Sequence, residues 1–428
     1  MFSEISYSML SSLCLCDSVV KCIMPRVPRI PLAWKNLTHD RVRFALFASG
    51  IAFAVVLMAV QLGIMNAMLD ANTVVFSKLN ADLVLENPAR PALLFRHTFN
   101  HHRLRQALGV PGVTSAHAIY IDHDLGRLRH ADPDQRTRGQ TRRLRVIGVD
   151  PAAHALDLPN LEPGAWEKLG TPGTALYDRK SRPAANPHSP GETIYGKLEP
   201  GVKTELSGRE LTLVGGFDLG FDFGTDGTIV LGDRTFSRIL REPYTISNPL
   251  ADVDLGIVRL QPGADLEATQ KRLQDTIGRD GDVIVLTKAE AVARERNFWW
   301  TSTPIGFAFG AGVVLGFVVG VVICYQILSS DVADHLAEYA TLKAIGYPNR
   351  YLSLVVLQES FILALAGFLP GMVVTLGAYE YLTEISAMPL KFTPGRAGLV
   401  LALTVAMCVA SGLFALGKVK KVDPADVF

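Results

Sequence analysis

Three aspartates in one glycine-rich segment are the residues whose spacing most resembles a ligand site. The segment GFDLGFDFGTDG occupies residues 216–227 and places Asp218, Asp222 and Asp226 at every fourth position. Carboxylates repeated in a turn-rich loop can bind calcium, but this segment lacks the spacing of an EF-hand loop and its bidentate glutamate. We therefore favour a turn-rich hairpin over a calcium loop.

The remaining metal-binding and nucleophilic residues do not form a known pattern. Cys14 and Cys16 have no nearby histidine or further cysteine to complete a zinc site. His101 and His102 are adjacent and would point to different faces of a helix, so surface positions are expected for the histidines between residues 97 and 188. The sequence contains no HExxH, GxSxG or CxxC motif. It predicts no catalytic residue and no metal site.

Nucleotide binding has no support either. A phosphate-binding loop needs GxxxxGK followed by serine or threonine. The Gly196-Lys197 and Gly417-Lys418 pairs are followed by leucine and valine. We expect no bound cofactor, and any ATP must be bound by a separate subunit.

Four long apolar runs determine the predicted arrangement of the chain. Of the 428 residues 49% are hydrophobic, and the mean hydropathy is +0.24. At a rise of about 1.5 Å per residue, each run is long enough to cross a hydrocarbon core of about 30 Å. The runs predict four transmembrane helices over residues 44–68, 304–328, 352–378 and 397–416.

The basic residues beside these spans predict their orientation. Arg26, Arg29, Lys35, Arg41 and Arg43 precede the first span, Lys343 and Arg350 lie between the second and third, and Lys418, Lys420 and Lys421 follow the fourth. Basic residues concentrate on the cytoplasmic side. Both termini and residues 329–351 are therefore expected in the cytoplasm, whereas residues 69–303 and 379–396 are expected outside the membrane. A net charge of +1 gives no sign of nucleic-acid binding.

The two ends of the chain are expected to be simple. Residues 1–23 resemble neither a signal peptide nor a span, because their apolar part is short and lacks a basic start. We interpret them as a non-native or disordered extension, with a lipoprotein signal as the alternative. Residues 24–43 are expected to form a cytoplasmic amphipathic segment, and residues 417–428 a cytoplasmic tail.

Residues 69–303 alternate strand and helix patterns at both ends. The order strand, helix, strand is predicted over residues 81–87, 101–108 and 114–122, and again over residues 252–260, 265–277 and 282–288. Residues 126–250 show strand patterns separated by proline and glycine. The predicted fold class is an α-helical membrane protein with four transmembrane helices plus an extracytoplasmic α+β domain, a βαβ-containing membrane-proximal subdomain with a β-rich insert.

Small and polar residues within the spans suggest close packing. Gly312, Gly316 and Gly320 repeat at every fourth position of the second span, which allows helices to approach closely in lipid. They predict a dimer seam, with packing inside one protomer as the alternative. Gln358 and Glu359 lie in the third span, where polar groups face protein or water. We favour packing toward residues 338–346 over a substrate site.

Residues 338–346 read EYATLKAIG, and this segment resembles the FtsX-like or MacB-type permeases of ABC transporters. The third span contains LQES at 357–360, and the chain closes with VDPADVF at 422–428, which are also similar to that family. The layout of one span, a large outer domain and three spans is shared, so the resemblance covers essentially residues 24–428. The opening PLAWKNLTHDRVRFALFASGIAFAVVL is closest to the DevC branch.

The resemblance implies a short cytoplasmic helix that docks into the ATPase. The ATPase-coupling residues would be Glu338, Leu342, Lys343, Ala344, Ile345 and Gly346. Independently of the family, alanines keep this segment slim and Gly346 can end the helix. The alternative is an ordinary solvated connector between spans.

The resemblance also implies function and partners. The chain would be the non-catalytic permease subunit of an ABC exporter, a homodimer in the lipid membrane that works with a separate ATPase, an HlyD-like periplasmic adaptor and a TolC-like outer-membrane channel. It would transmit ATP hydrolysis to the periplasmic domain. The alternatives are an FtsX-like regulator of a cell-wall hydrolase and a lipoprotein-releasing permease.

Overall fold

The computed structural model describes residues 40–129, 142–182, 185–186, 189–193, 198–241, 248–386 and 390–420. The predicted extension 1–23, residues 24–39 of the predicted amphipathic segment, Cys14, Cys16 and the VDPADVF ending lie outside this part of the chain.

The helices in chain order are α1 Arg41–Ser77, α2 His102–Leu108, α3 Ala165–Lys168, α4 Asp233–Phe236, α5 Leu266–Ile277, α6 Lys288–Thr301, α7 Pro304–Asp334, α8 Leu336–Ala344, α9 Asn349–Ser386 and α10 Pro394–Lys420. A 3-10 turn spans Pro151–Ala153, and a π-helical turn spans Ser237–Arg241.

The strands in chain order are β1 Leu83–Glu86, β2 Phe99–Asn100, β3 Val113–Asp122, β4 Arg127–Leu128, β5 Arg142–Arg143, β6 Arg145–Val149, β7 Thr174–Asp178, β8 Ala185–Asn186, β9 Ser189–Thr193, β10 Lys203–Leu206, β11 Arg209–Phe217, β12 Thr228–Gly232, β13 Asp252–Val253, β14 Leu255–Leu260 and β15 Ile284–Thr287.

Within the described residues, four helices are long and apolar enough to span a membrane: α1, α7, α9 and α10. They contain the four predicted spans and extend beyond them. The α1 helix starts where the Asp40 carboxylate accepts hydrogen bonds from the backbone N–H groups of Val42 and Arg43, at 3.0 and 3.1 Å. This contact satisfies two of the N–H groups that a helix start leaves unpaired.

The described part of the outer domain is built on one mixed sheet of eleven strands. Their order is β15-β1-β14-β3-β6-β12-β7-β11-β10-β4-β5. At one end, β1 lies antiparallel between β15 and β14, and β14 pairs antiparallel with β3. The two predicted strand–helix–strand units thus interleave as β15-β1-β14-β3, the arrangement of a split βαβ fold. The predicted fold class is confirmed.

Apolar layers cover both faces of this sheet. Leu83 and Leu85 of β1 pack in one buried cluster with Leu104 of α2 and Leu273 of α5. Val84, between them in sequence, packs in the other cluster with residues from α1 and α6. Successive strand side chains point to opposite faces, so β1 is buried on both sides. This explains why the strand reads as a continuous apolar run.

The predicted β-rich insert continues the same sheet. Its strands β6, β12, β7, β11, β10, β4 and β5 follow β3 in order. The predicted hairpin at residues 216–227 is wrong, because β7 lies between β11 and β12 and pairs with both. The segment is a crossover loop between strands that do not touch.

The chain divides into two compact units. One contains the described residues up to Phe53, with Val318–Gly371 and the residues from Ala402 onward. The other contains Ala54–Phe317 and Met372–Leu401, and therefore includes the outer domain.

Candidate functional site

The α8 helix ends where the sequence predicted. Gly346 follows it with a φ of +103°, a left-handed conformation that glycine adopts without steric cost. The Gly346 N–H donates to the carbonyl of Lys343 and the Tyr347 N–H to the carbonyl of Leu342, both at 3.1 Å. This pair of bonds is a Schellman motif, which satisfies carbonyls at the end of the helix. The backbone direction after α8 is therefore fixed.

One face of α8 is packed against neighbouring helices. Tyr339 and Ala340 are buried, and Tyr339 lies in an apolar cluster with Val332 of α7 and with Leu352 and Val356 of α9. Apolar contact of this kind is the main source of stability for a helix as short as α8. A displacement of α8 must therefore also move the adjoining ends of α7 and α9.

The predicted coupling residues divide between the two faces of α8. Leu342 is half-buried and packs against the cluster around Tyr339, so it is not freely available to a partner. Lys343 is also half-buried. In contrast, Glu338, Ala344, Ile345 and Gly346 are exposed, and Ile345 keeps 71% of its surface accessible. Ile345 is the predicted apolar residue that stays available for contact.

The helical path is interrupted between Asp334 and Glu338. Asp334 is the last residue of α7, and α8 starts two residues later. The Asp334 carboxylate pairs with Arg43 at the start of α1, and Arg43 also donates to the Ser330 hydroxyl at 2.9 Å. The Glu338 carboxylate lies 3.2 Å from Nδ1 of His335. The two acidic residues therefore serve different local contacts.

The two polar residues in the third span differ in exposure. Gln358 is half-buried, whereas Glu359 has no accessible surface. Glu359 lies beside Tyr339, and burial together with this nearby carboxylate raises the pKa of the Tyr339 hydroxyl. The arrangement places the buried acid of α9 against α8. The packing role favoured over a substrate site stays a prediction.

The predicted glycine row lies in α7, and its first two members face α1 of the same chain. A methyl group on Gly312 would lie 2.7 Å from the Gln61 side chain, and one on Gly316 would lie 3.1 Å from Met58. These distances show close helix packing inside one protomer at both positions. Gly320 is buried. The dimer seam stays a prediction.

The three aspartates of the loop between β11 and β12 all pair with arginines. Asp218 lies 2.9 Å from Arg179, Asp226 lies 3.3 Å from Arg182, and Asp222 forms an ion pair with Arg145. Arg145 is only 1% exposed. The Asp222 carboxylate also accepts hydrogen bonds from the N–H groups of Gly224 and Thr225. These contacts occupy the carboxylates that suggested a calcium loop.

Glu295 joins α6 to the loop that follows β1. Its carboxylate accepts a hydrogen bond from the Leu93 N–H at 2.9 Å and another from Nε1 of Trp299 at 2.8 Å. Burial raises the pKa of Glu295 to about 7 despite these two donors.

His123 binds the carbonyl of Leu93 through Nε2 at 3.0 Å, and burial lowers the pKa of His123 to about 3. The expected surface position is wrong for His123.

A second buried carboxylate lies nearby in the same domain. Asp254 accepts hydrogen bonds from Arg241 at 2.8 Å and from the Ile121 N–H at 3.0 Å, with Arg90 at 3.6 Å. Burial raises its pKa to about 6. Arg90, Arg145 and Arg241 belong to no known motif, and the sequence analysis did not identify them. The sequence signal for Arg145 is its place directly before the apolar residues Val146 and Ile147 of β6.

Known proteins resemble both parts of the chain. The FtsX-like permease C-terminal family matches residues 310–424. The crystal structure of the periplasmic region of MacB from Actinobacillus actinomycetemcomitans is 9% identical, covers 50% of this chain and 91% of its own, and gives a TM-score of 0.35. The crystal structure of the extracellular domain of the noncanonic ABC-type transporter YknZ from Gram-positive bacteria is 13% identical. The match covers 48% of this chain and 99% of that domain, with a TM-score of 0.31. No curated protein matches the chain.

The family match covers α8 together with most of α7, α9 and α10. It therefore includes residues 338–346, on which the resemblance was based. Assignment to the DevC branch stays a prediction. Four apolar helices therefore accompany an α/β domain, and residues 310–424 are similar to the FtsX-like permease C-terminal family.

Proposed function

We propose that the chain is the permease subunit of a DevC- or MacB-type exporter in the bacterial inner membrane. A separate ABC ATPase binds ATP and docks on α8 from the cytoplasm, and this chain is not itself an enzyme. Two copies form a homodimer. The outer domain works with an HlyD-like adaptor and a TolC-like outer-membrane channel.

The observation that carries this proposal is the division of α8 into a packed face and an exposed end. Tyr339 attaches the helix to α7 and α9 and Ala340 is buried, while Ile345 and Tyr347 are exposed beyond its last turn. A partner that grips the exposed end can move the packed face. Each of the two attached helices is long enough to cross a bilayer, so motion at α8 is passed along the spans.

The orientation follows from the basic residues. Arg41 and Arg43 begin α1, and Lys343 and Arg350 flank the end of α8. Basic residues near span ends favour the cytoplasmic side. The N-terminal end of α1 and the whole of α8 are therefore assigned to the cytoplasm, where ATP is available.

Replacing Ile345 with aspartate tests the proposed docking. A carboxylate desolvated in the ATPase groove without a partner would cost several kcal/mol. We expect loss of ATPase co-purification and of ATPase stimulation in vesicles, with an unchanged melting temperature, because 71% of the surface of Ile345 is exposed. The matched control is Ile385→Asp, since Ile385 is 66% exposed at the other end of α9.

Wild-type binding by Ile345→Asp, or equal losses in both variants, would contradict docking at α8. The same purification identifies the outer partner. An adaptor supports export, whereas a hydrolase activator or a second, paralogous permease would replace export by cell-wall regulation or lipoprotein release.

A further inference from the structure

An apolar cavity of about 450 Å³ lies in the unit that contains the outer domain, at the start of α7. Its walls include Met68 of α1, Phe95, Phe223, Phe298 and Trp299 of the outer domain, and Phe309 of α7. The volume is within the range of small-ligand sites, which are about 300–1,000 Å³. The cavity is therefore large enough for a ligand and is formed within one chain.

The aromatic walls contact one another. The rings of Phe95 and Phe298 meet edge to face with centroids 5.8 Å apart, and those of Phe223 and Trp299 are also 5.8 Å apart. Such arrangements are favourable beyond simple burial. The walls therefore support each other without a ligand.

Buried polar groups hold these walls in position. Glu295 accepts from Trp299 and from the backbone of Leu93, two residues before Phe95. Asp222, paired with Arg145, fixes the backbone beside Phe223. The cavity is thus preorganised, which lowers the entropic cost of binding.

The position of the cavity indicates the chemistry of its occupant. Its wall includes Pro304, where the apolar run of α7 begins, and Trp299 and Trp300 lie five and four residues before it. Tryptophan is enriched where a span meets the membrane surface. On the same helix Phe307 is 81% exposed, so the lipid-facing surface of α7 begins at the cavity. The nearest medium is therefore lipid acyl chains.

A charged group next to the cavity suits a phospholipid. Asp70, two residues after Met68, pairs with Arg296 at 2.8 Å and with Arg396 at 2.7 Å. Two arginines and one aspartate leave one excess positive charge. Arg296 is two residues before Phe298, so along both helices this charge lies farther from the apolar spans than the cavity-lining Met68 and Phe298. A phosphate group would be attracted there.

We propose that the cavity holds one acyl chain of a phospholipid from the surrounding outer leaflet, with its phosphate toward Arg296 and Arg396. The lipid is a resident of the bilayer. It fills the space between the aromatic residues of the outer domain and the first turns of α7, and so attaches the outer domain to the membrane.

Photo-crosslinking tests this assignment. The full chain is placed in vesicles of phosphatidylethanolamine and phosphatidylglycerol that contain a phosphatidylethanolamine with a diazirine near one acyl terminus. We expect adducts concentrated on Met68, Phe95 and Phe298. Ala308→Trp should lower these adducts about tenfold, because Ala308 lines the cavity and the indole fills its volume. Val314→Trp is the matched control, since Val314 is exposed on the same helix outside the cavity.

A second variant guards against misfolding of Ala308→Trp. Phe95 is 45% exposed, so Phe95→Asp is tolerated sterically, but its carboxylate should exclude an acyl chain and lower the remaining adducts. Adducts spread evenly over all exposed span residues, or unchanged in both variants, would overturn the proposal. So would crosslinks between two copies through cysteines placed at Phe95 and Phe223, because a second chain would then fill the site.

Discussion

The α8 helix and the loop between β11 and β12 both present an exposed apolar side chain, but they fix it by opposite means. Ile345 follows a regular helix whose other face is apolar and packed. Phe223 lies in an irregular loop that is held by Asp222 and the buried Arg145. A helix satisfies its backbone groups internally, whereas an irregular loop needs side chains to do so. Charge substitutions should therefore damage the loop far more than the helix.

The largest expected effect is at the loop. Asp222→Ala leaves Arg145 buried without its partner, and breaking a buried pair in this way costs about 3–5 kcal/mol. We expect a marked fall in the unfolding temperature of the purified full chain, followed by tryptophan fluorescence. The control is Asp218→Ala, whose partner Arg179 is partly solvent-exposed, so that the loss should be about 1 kcal/mol or less. Equal losses in the two variants would show that burial of Arg145 does not determine the stability of the loop.

A smaller effect is expected from pH at Glu295. Its pKa is about 7 in the folded protein against 4.5 for an unperturbed glutamate. Between these two pKa values the folded state binds more protons than the unfolded state. The contribution of Glu295 to the free energy of unfolding is therefore fully present below about pH 4.5 and is lost as the pH rises to about 7, by up to about 3 kcal/mol. Glu86 and Arg145 are the charged neighbours that modify this pKa.

Glu295→Gln should remove the part of this pH dependence of stability that lies between about pH 6 and pH 7. Asp178 and Asp254, whose pKa values are raised to about 6, contribute with the same sign mainly below that window. The contribution of His123 to stability has the opposite sign. Because its pKa is lowered in the folded protein, this contribution is lost as the pH falls below 6.5, the ordinary pKa of histidine. The measurement is the unfolding temperature of both proteins from about pH 5 to about pH 8. An unchanged slope in Glu295→Gln would show that Glu295 does not titrate in this range.

The smallest expected effect is at the end of α8. Gly346→Ala would force a side chain into a left-handed conformation, at a cost of about 1 kcal/mol. Apart from the chain neighbours of Gly346, no atom of the described residues lies within 4 Å of the added methyl group, so the effect isolates the backbone. Gly377→Ala is the control, because its methyl group also meets nothing but the backbone is helical. Similar unfolding temperatures for both variants would mean that the Schellman motif does not restrain this segment.

Much of the architecture could be read from local pattern. The four spans, the strands and helices at both ends of the outer domain, and the glycine stop after α8 all follow from the apolar period and from residue type. Each of these signals lies within a single element, because hydrophobicity and backbone preference act over a few residues. The hairpin at residues 216–227 failed for the same reason. Its turn residues indicate a loop, but they do not specify which strands the loop connects.

The sequence by itself predicted four membrane spans, a mixed outer domain and a segment at residues 338–346 that resembles the FtsX-like permeases. Only the tertiary structure decided that Asp222 pairs with Arg145, 77 residues earlier, and that Met68, Phe95, Phe223 and Trp299 enclose one cavity. The order of strands in the sheet sets these contacts, and strand order depends on the whole chain. The tertiary structure also decided that Leu342 is packed while Ile345 is exposed, because α8 lies against helices that come before and after it in the chain.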